Sequence, residues 1–204
     1  MGLIRFIWPH VGTFPPDSKL EIDLNKIRDA NWEGDTASFL DEARRLRDIE
    51  TARKSSAETK SQIYLAALFA LIPILVSLTE HKALKGIVEF DEWYQIAGFI
   101  LFVVGLLYGV GAFVSSFRAL AVRAYNRVDV DDIVKASSRK DLTKEILKSV
   151  RLDRLSVNHK ISFVIVTHEL VFRMALCQLS ALALIVFSPY VGNLFSYLKT
   201  AMFE

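Results

Sequence analysis

Three long stretches of the chain carry no charged residue, and this pattern limits the possible folds more than any other feature. They cover residues 63–79, 93–117 and 174–198. A helix in the core of a soluble protein keeps one polar face for water, and one soluble domain rarely holds three stretches without such a face. Helices of these lengths measure roughly 26 to 37 Å, against roughly 30 Å for a hydrocarbon layer. We therefore predict an all-α membrane protein with three transmembrane helices and a helical cytoplasmic domain.

The first stretch is the shortest, and by itself it would suit a buried core helix as well as a membrane span. Its only polar residue between Ile63 and Leu78 is Ser77. The two longer charge-free stretches that follow favour a membrane span for the first one as well, because three apolar helices in one chain are typical of a membrane protein. We predict that all three cross the bilayer.

The distribution of charge predicts the orientation. Residues 1–62 hold ten Lys and Arg against eleven Asp and Glu, and residues 80–92 hold two against four. Residues 117–160 hold eleven against six, a net charge of +5. Because basic segments stay on the cytoplasmic side, the N-terminus is predicted inside and the C-terminus outside. The predicted segments are a cytoplasmic region 1–62 with a long helix 36–62, span 63–79, outer loop 80–92, span 93–117, basic helical insert 118–160, an entering and spanning helix 161–198, and a tail 199–204.

Both cytoplasmic regions show helical patterns. From Thr36 the sequence has no Gly or Pro for 30 residues or more, Asp35 or Thr36 can cap the helix, and Phe39, Ala43, Leu46 and then Ile49 or Glu50 form a narrow apolar stripe. We expect this helix to continue into the first span. In the basic insert Ser138 or Asp141 starts a helix, with its apolar stripe at Leu142, Ile146, Val150 and Leu155.

The first 34 residues are harder to interpret. They contain Pro9, Pro15 and Pro16, followed by the alternating sequence KLEIDLN. Prolines break regular structure and alternation favours a strand. We therefore predict an irregular segment with one short strand.

The basic insert is the first candidate functional site. Part of its charge is the inner-leaflet anchor that any such loop carries, but six basic residues recur along a helix well beyond the second span. An anionic ligand, a nucleotide or an oligonucleotide, is the alternative interpretation. The candidates are Arg139, Lys140, Lys144, Lys148, Arg151 and Arg154.

A second candidate site lies near the cytoplasmic start of the third span. Glu169 and Arg173 stand four residues apart beside His168, between the apolar run ISFVIV and the third charge-free stretch. One interpretation is an ordinary i,i+4 pair at the headgroup level. The other is a polar ring at the inner mouth of an oligomeric pore, since ionisable residues in membranes usually face water or partners.

Two further features are candidates for a gate or for helix packing. Gly105 and Gly109 form a GxxxG pattern in the second span, which lets helices approach closely within or between chains. Pro73 lies inside the first span, where it removes a helical hydrogen bond and favours a kink.

Two segments share a serine followed by a lysine just before an apolar helix. They are KSSAETKS, ending near Lys60, and RLSVNHKIS, which contains Lys160. The simplest interpretation is a pair of interface anchors whose lysines extend to the headgroups.

Enzymatic activity is not expected. The sequence His168-Glu169-Leu170 begins like a zinc-protease helix, but Phe172 stands where the second histidine is needed. The sequence shows no phosphate loop, nucleophile elbow or Cys-x-x-Cys pair. We therefore predict no catalytic residue, no metal site and no cofactor.

The order of segments resembles the SLATT family of bacterial membrane effectors. A charged helix, DEARRLRDIETARKSSAETK, enters a short span, and a second span, a basic insert ending SVNHK and a last apolar helix follow. The chain is also similar to the channel effectors of Hailong-type and cyclic-nucleotide anti-phage systems. The resemblance covers residues 36–190. It lies in the order of the segments and assigns a binding role to no residue of this chain.

The resemblance implies a homo-oligomer, taken as a tetramer, in the bacterial inner (plasma) membrane. Its channel would be gated by a nucleotide or oligonucleotide from a partner nucleotidyltransferase and would depolarise the infected cell. Two alternatives remain open. One is a non-conducting scaffold that recruits a soluble partner enzyme, and the other is a sensor or transporter component whose basic helix binds membrane lipids.

Overall fold

The structure is a computed structural model that describes residues 18–30, 32, 34–80, 93–122, 136 and 138–203. These residues form four helices: α1 (Leu20–Asp29), α2 (Thr36–Glu80), α3 (Trp93–Ala121) and α4 (Arg139–Phe203). These four helices agree with the all-α class predicted for the chain. Residues 81–92 of the predicted outer loop, residues 123–135 and 137 of the basic insert, and the first 17 residues lie outside the described part.

Helix α2 starts and continues as the sequence predicts. The backbone N–H of Ser38 donates to a carboxylate oxygen of Asp35 at 3.2 Å, so Asp35 caps the helix. The helix runs without interruption through Pro73 to Glu80, and so joins the charged region to the first apolar stretch. Pro73 cannot donate the usual hydrogen bond to the carbonyl of Phe69.

Helix α1 corrects the prediction of an irregular segment with a strand. Leu20, Leu24 and Ile27 are half-buried, and their spacing of four and three residues suits a helix. The same letters also alternate in steps of two, which led to the strand prediction. Packing against another element decides between the two patterns, and that element lies more than 100 residues away in the sequence.

The fold divides into two compact units. Unit 1 comprises the described residues of Met1–Ile63 and Ser116–Ile165, and unit 2 those of Tyr64–Ser115 and Val166–Glu204.

In unit 1, helices α2 and α4 run parallel. Leu40 and Ala43 of α2 share a buried cluster with Ile146 of α4. Further along both helices, Arg53 contacts Asn158 and Glu58 contacts Lys160. The contacts therefore advance in the same direction along both helices. The buried residues of α4 keep a seven-residue register, as in a coiled coil. They are Thr143, Ile146, Val157, Lys160 and Val164.

The apolar stripe predicted for α2 is shifted by one position at its start. Leu40 and Ala43 are buried, whereas Phe39 and Ile49 are largely exposed. Phe39 packs edge-on against Trp32, with ring centroids 5.6 Å apart. The face is therefore set by the contact with α4 rather than by the largest apolar residues.

In unit 2, helix α3 runs antiparallel to α4. A Cβ atom at Gly105 would meet the side chains of Cys177 and Gln178, and one at Gly109 would meet Met174. Small residues recur every seven positions on the buried side of α3, at Gly98, Gly105 and Ala112. Small residues at this spacing let two helices approach closely.

Candidate functional site

The six basic candidates lie on the first turns of α4 in unit 1. Ser138 starts this helix, since its hydroxyl oxygen accepts the backbone N–H of Asp141 at 3.3 Å. Arg139, Lys148 and Arg154 are exposed, while Lys140, Lys144 and Arg151 are half-buried. The six residues therefore do not form one uniform charged face.

Helix α1 engages two of these candidates, and the sequence did not predict this contact. Arg151 donates from Nε to a carboxylate oxygen of Asp23 at 2.7 Å, and its side chain is only 13% exposed. Lys144 donates from Nζ to the backbone carbonyl of Arg28 at 3.0 Å. Both contacts join segments more than 100 residues apart.

A groove of about 600 Å³ lies between α1 and α4. Arg28 of α1 faces Lys144 and Lys148 of α4 there, with Leu24 and Ile27 as apolar lining. Arg28 was not among the predicted site residues, because its position opposite the basic helix depends on the fold of α1. The groove brings together two of the six candidates and adds a third cation.

A buried ion pair joins the two parallel helices of unit 1. Lys160 donates from Nζ to Oε1 of Glu58 at 2.6 Å, and its side chain is only 2% exposed. The interpretation of Lys160 as a lysine that extends to the headgroups is therefore wrong. Lys60, its counterpart in the sequence echo, is exposed. Sequence alone could not find Glu58 as the partner.

His159, next to Lys160, is half-buried. Desolvation by burial lowers its pKa below the usual value, because burial disfavours the charged imidazolium. His159 is therefore held more firmly in its neutral form than an exposed histidine.

The pore candidates lie on α4 in unit 2. His168 and Glu169 are exposed, and Nδ1 of His168 lies 2.8 Å from the hydroxyl of Tyr64, a hydrogen bond that joins α4 to α2. Arg173 and Glu169 are 4.0 Å apart, with side chains 24% and 50% exposed. Phe172, on the same part of α4, is more than half exposed.

The glycine candidates serve packing within the chain. Gly105 lies under the Gln178 amide, which donates to the carbonyl of Phe102 at 3.3 Å. Gly109 lies under Met174 and borders an apolar cavity of about 330 Å³. Pro73 is exposed within α2. The two glycines of the GxxxG motif therefore contact α4 of the same chain.

Two of the helices are long and apolar enough to cross a membrane. They are Gln95–Ala121 and Arg139–Leu184, and only 17% and 11% of their most apolar windows are buried inside the chain. A core helix of a soluble protein would be mostly buried. The exposed apolar side chains of unit 2 support association with a membrane.

Among the described residues no group of His, Cys, Asp and Glu could hold a metal ion. Comparisons with known protein families, with characterised proteins and with solved structures find no match to this chain.

Proposed function

We propose that this chain is a three-span protein of the bacterial inner membrane that assembles into a homo-oligomeric ion channel, with four subunits as the working number. A nucleotide or oligonucleotide from a partner nucleotidyltransferase gates the channel, and opening depolarises an infected cell. The resemblance to SLATT effectors implies this role, and the geometry of unit 2 supports the membrane part of it.

The exposed carboxylate of Glu169 is the observation that carries the channel proposal. It lies 4.0 Å from Arg173 on α4, with its side chain half exposed. Ionisable side chains within membrane spans almost always face the bundle interior or a water-filled cavity, because contact with lipid is costly. Assembly of several subunits with Glu169 turned toward a common aqueous interior removes this cost and creates a cation-attracting mouth.

Large apolar side chains support the placement of α3 and α4 in lipid. Leu107, Val110, Phe172 and Leu179 are all at least 55% exposed. An apolar surface of this extent on a soluble monomer would cause aggregation. The proposal needs one more span in addition to α3 and α4. This span is the apolar stretch 63–79, which is part of the continuous helix α2.

Gating follows from a two-state arrangement. Phosphates of the ligand bind basic residues near the start of α4, and this favours one arrangement of the subunits over another. The basic residues and the third apolar stretch both belong to α4, which is helical from Arg139 to Phe203.

A non-conducting scaffold is the second candidate function. The outer face of α2 carries several exposed charged residues that make only local pairs, such as Arg44 with Asp41 and Arg45 with Glu42. Exposed pairs of this kind stabilise a fold little, so this face is suited to bind a soluble partner protein.

Current through planar bilayers that contain the purified protein tests the channel and separates it from the scaffold. The channel proposal predicts a conductance whose cation selectivity falls when Glu169→Gln removes the mouth charge. Glu42→Gln, an exposed carboxylate on α2, serves as the matched control and should leave selectivity unchanged. The absence of current in all samples, both with and without added ATP, contradicts the channel, and unchanged selectivity in Glu169→Gln contradicts the polar ring.

A further inference from the structure

The groove between α1 and α4 has the composition of a binding site for a phosphorylated ligand. Three cations from two distant segments line it, Arg28 from α1 and Lys144 and Lys148 from α4, and they outnumber its two carboxylates, Glu21 and Glu145. Its volume of about 600 Å³ lies within the roughly 300 to 1,000 Å³ that small-molecule sites occupy.

Two of these cations have partners that a phosphate can displace. Lys148 lies 3.7 Å from Glu145, and Arg28 lies 3.0 Å from the adjacent Asp29, with all four side chains at least 41% exposed. Exposed pairs of this kind contribute about 0 to 1 kcal/mol. A phosphate offers shorter, charge-assisted hydrogen bonds, so exchange of partner favours the phosphate.

Lys144 has a different role in the groove from Arg28 and Lys148. Its Nζ donates one hydrogen bond to the carbonyl of Arg28, and an ammonium group has three donors. Lys144 thus holds the end of α1 in place and adds positive charge to the groove. This contact keeps Arg28 opposite the basic helix.

The remaining lining is suited to a ring. Leu24 and Ile27 are half-buried apolar residues of α1, and Glu21 and Asn25 bring an acceptor carboxylate and an amide to the same groove. A purely phosphate-binding surface has no use for such groups. A nucleotide combines phosphates with a flat ring whose edge carries donors and acceptors.

We infer that this groove binds a nucleotide: Arg28 and Lys148 contact its phosphate, Leu24 and Ile27 contact its ring, and Asn25 or Glu21 binds the ring edge. The inference rests on the proposed function and names the site for its ligand. The phosphate chemistry is shared with anionic lipid headgroups, and the ring-binding lining favours the soluble nucleotide.

Isothermal titration of the full chain in detergent, with ATP and with tripolyphosphate as probes, tests this site. ATP should bind more tightly than tripolyphosphate because only ATP has a ring. Arg28→Glu and Lys148→Glu should each weaken ATP binding by about tenfold or more, as expected for loss of a charge-assisted contact. Far-UV circular dichroism confirms that the variants keep their helices.

Arg44→Glu is the matched control, because Arg44 is also an exposed member of an i,i+3 pair, with Asp41 at 3.6 Å. It should leave ATP binding within twofold of the unsubstituted chain. A parallel experiment measures binding to phosphatidylglycerol and phosphatidylcholine vesicles. If the two groove variants lose only their binding to phosphatidylglycerol vesicles and still bind ATP, the phosphate site belongs to a lipid headgroup. That result would overturn the inference that the groove binds a nucleotide.

Absence of ATP binding, or equal binding by the unsubstituted chain and both groove variants, overturns the site. Loss of binding in Arg154→Glu but not in the groove variants also overturns it, since it places the ligand on the outer face of α4. If ATP does not bind in the groove but a channel current is measured, the proposed channel function stands. Binding in the groove without any current leaves the site standing and contradicts the channel.

Discussion

At the scale of single residues, Lys160 is a charged side chain buried in unit 1. It is 2% exposed and bonded to Glu58, whose side chain is 34% exposed. Removal of one partner from a fully buried pair costs about 3 to 5 kcal/mol, because the other charge stays buried and unpaired. Glu58 keeps some contact with solvent, so the cost here should be smaller.

Lys160→Met should therefore lower the free energy of unfolding by about 2 kcal/mol, measured by thermal unfolding in detergent with circular dichroism. Lys60→Met is the matched control, because Lys60 is exposed at the corresponding place in α2, and it should be near neutral. The double variant Lys160→Met with Glu58→Leu should recover most of the loss. Equal effects of Lys60→Met and Lys160→Met would contradict a buried, paired Lys160.

His159 supplies a pH dependence of stability. Its pKa in the folded chain lies below the unfolded value, which is about 6.5, so the unfolded state binds more protons in the window between the two. Stability is then fully present above pH of about 6.5 and is lost as pH falls through the lowered pKa. His159→Gln should remove this part of the loss between neutral and acidic pH, seen as a smaller decrease in melting temperature. Identical pH profiles of the two proteins would contradict the burial of His159.

Some contacts of single residues could be predicted from the sequence, and others could not. The caps were predictable to within two candidates each because capping is local: Asp35 caps α2 where Asp35 or Thr36 was predicted, and Ser138 caps α4 where Ser138 or Asp141 was predicted. Glu58 as the partner of Lys160 was not predictable, because it lies 102 positions away. Arg28 was missed for the same reason.

At the scale of elements, the two long helices owe their form to different patterns along their length. Helix α2 spans 45 residues and α4 spans 65, and both combine a charged segment with an apolar one. Helix continuity was predictable for α2 because no Gly or Pro interrupts residues 36–62. The strand predicted for α1 was wrong because a period of two and a period of 3.6 fit the same few apolar residues, and only packing decides.

Parallel pairing of α2 and α4 predicts a specific cross-link. Arg53 and Asn158 are in contact, with Arg53 donating from Nη2 to Oδ1 at 3.1 Å. In a chain with Cys177→Ser, the pair Arg53→Cys and Asn158→Cys should be joined within one subunit by a short bismaleimide, detected by mass spectrometry. The pair Arg53→Cys and Arg139→Cys should not react, because Arg139 lies about 28 Å further along α4 from Asn158. Efficient reaction of the control pair instead would contradict the parallel arrangement.

Close packing of α3 on α4 predicts a strong effect at Gly105. A Cβ atom there would lie 2.7 Å from Nε2 of Gln178 and 3.3 Å from Cβ of Cys177. Gly105→Val should therefore destabilise the protein by about 1 to 3 kcal/mol, measured by thermal unfolding in detergent. Leu107→Val, on the exposed side of the same helix, should have little effect. A neutral Gly105→Val would contradict this packing.

At the scale of the whole molecule, the account depends on which parts lie in lipid and which face the cell interior. The described residues are helical, and two helices are able to cross a membrane. The first apolar stretch as a third span, the orientation and the oligomer remain predictions. Sequence predicted the helical class well because hydropathy and charge act over whole segments, whereas the assembly depends on contacts between copies.

Labelling of single cysteines from either side of the membrane tests the central claim most directly. In a Cys177→Ser chain expressed in bacteria, Arg154→Cys should react with a membrane-impermeant maleimide only after the inner membrane is opened. Lys85→Cys, in the predicted outer loop, should react in cells whose outer membrane alone is permeable. Reaction of Arg154→Cys from outside, or protection of both cysteines on the same side, would contradict the three-span arrangement with its basic helix in the cytoplasm.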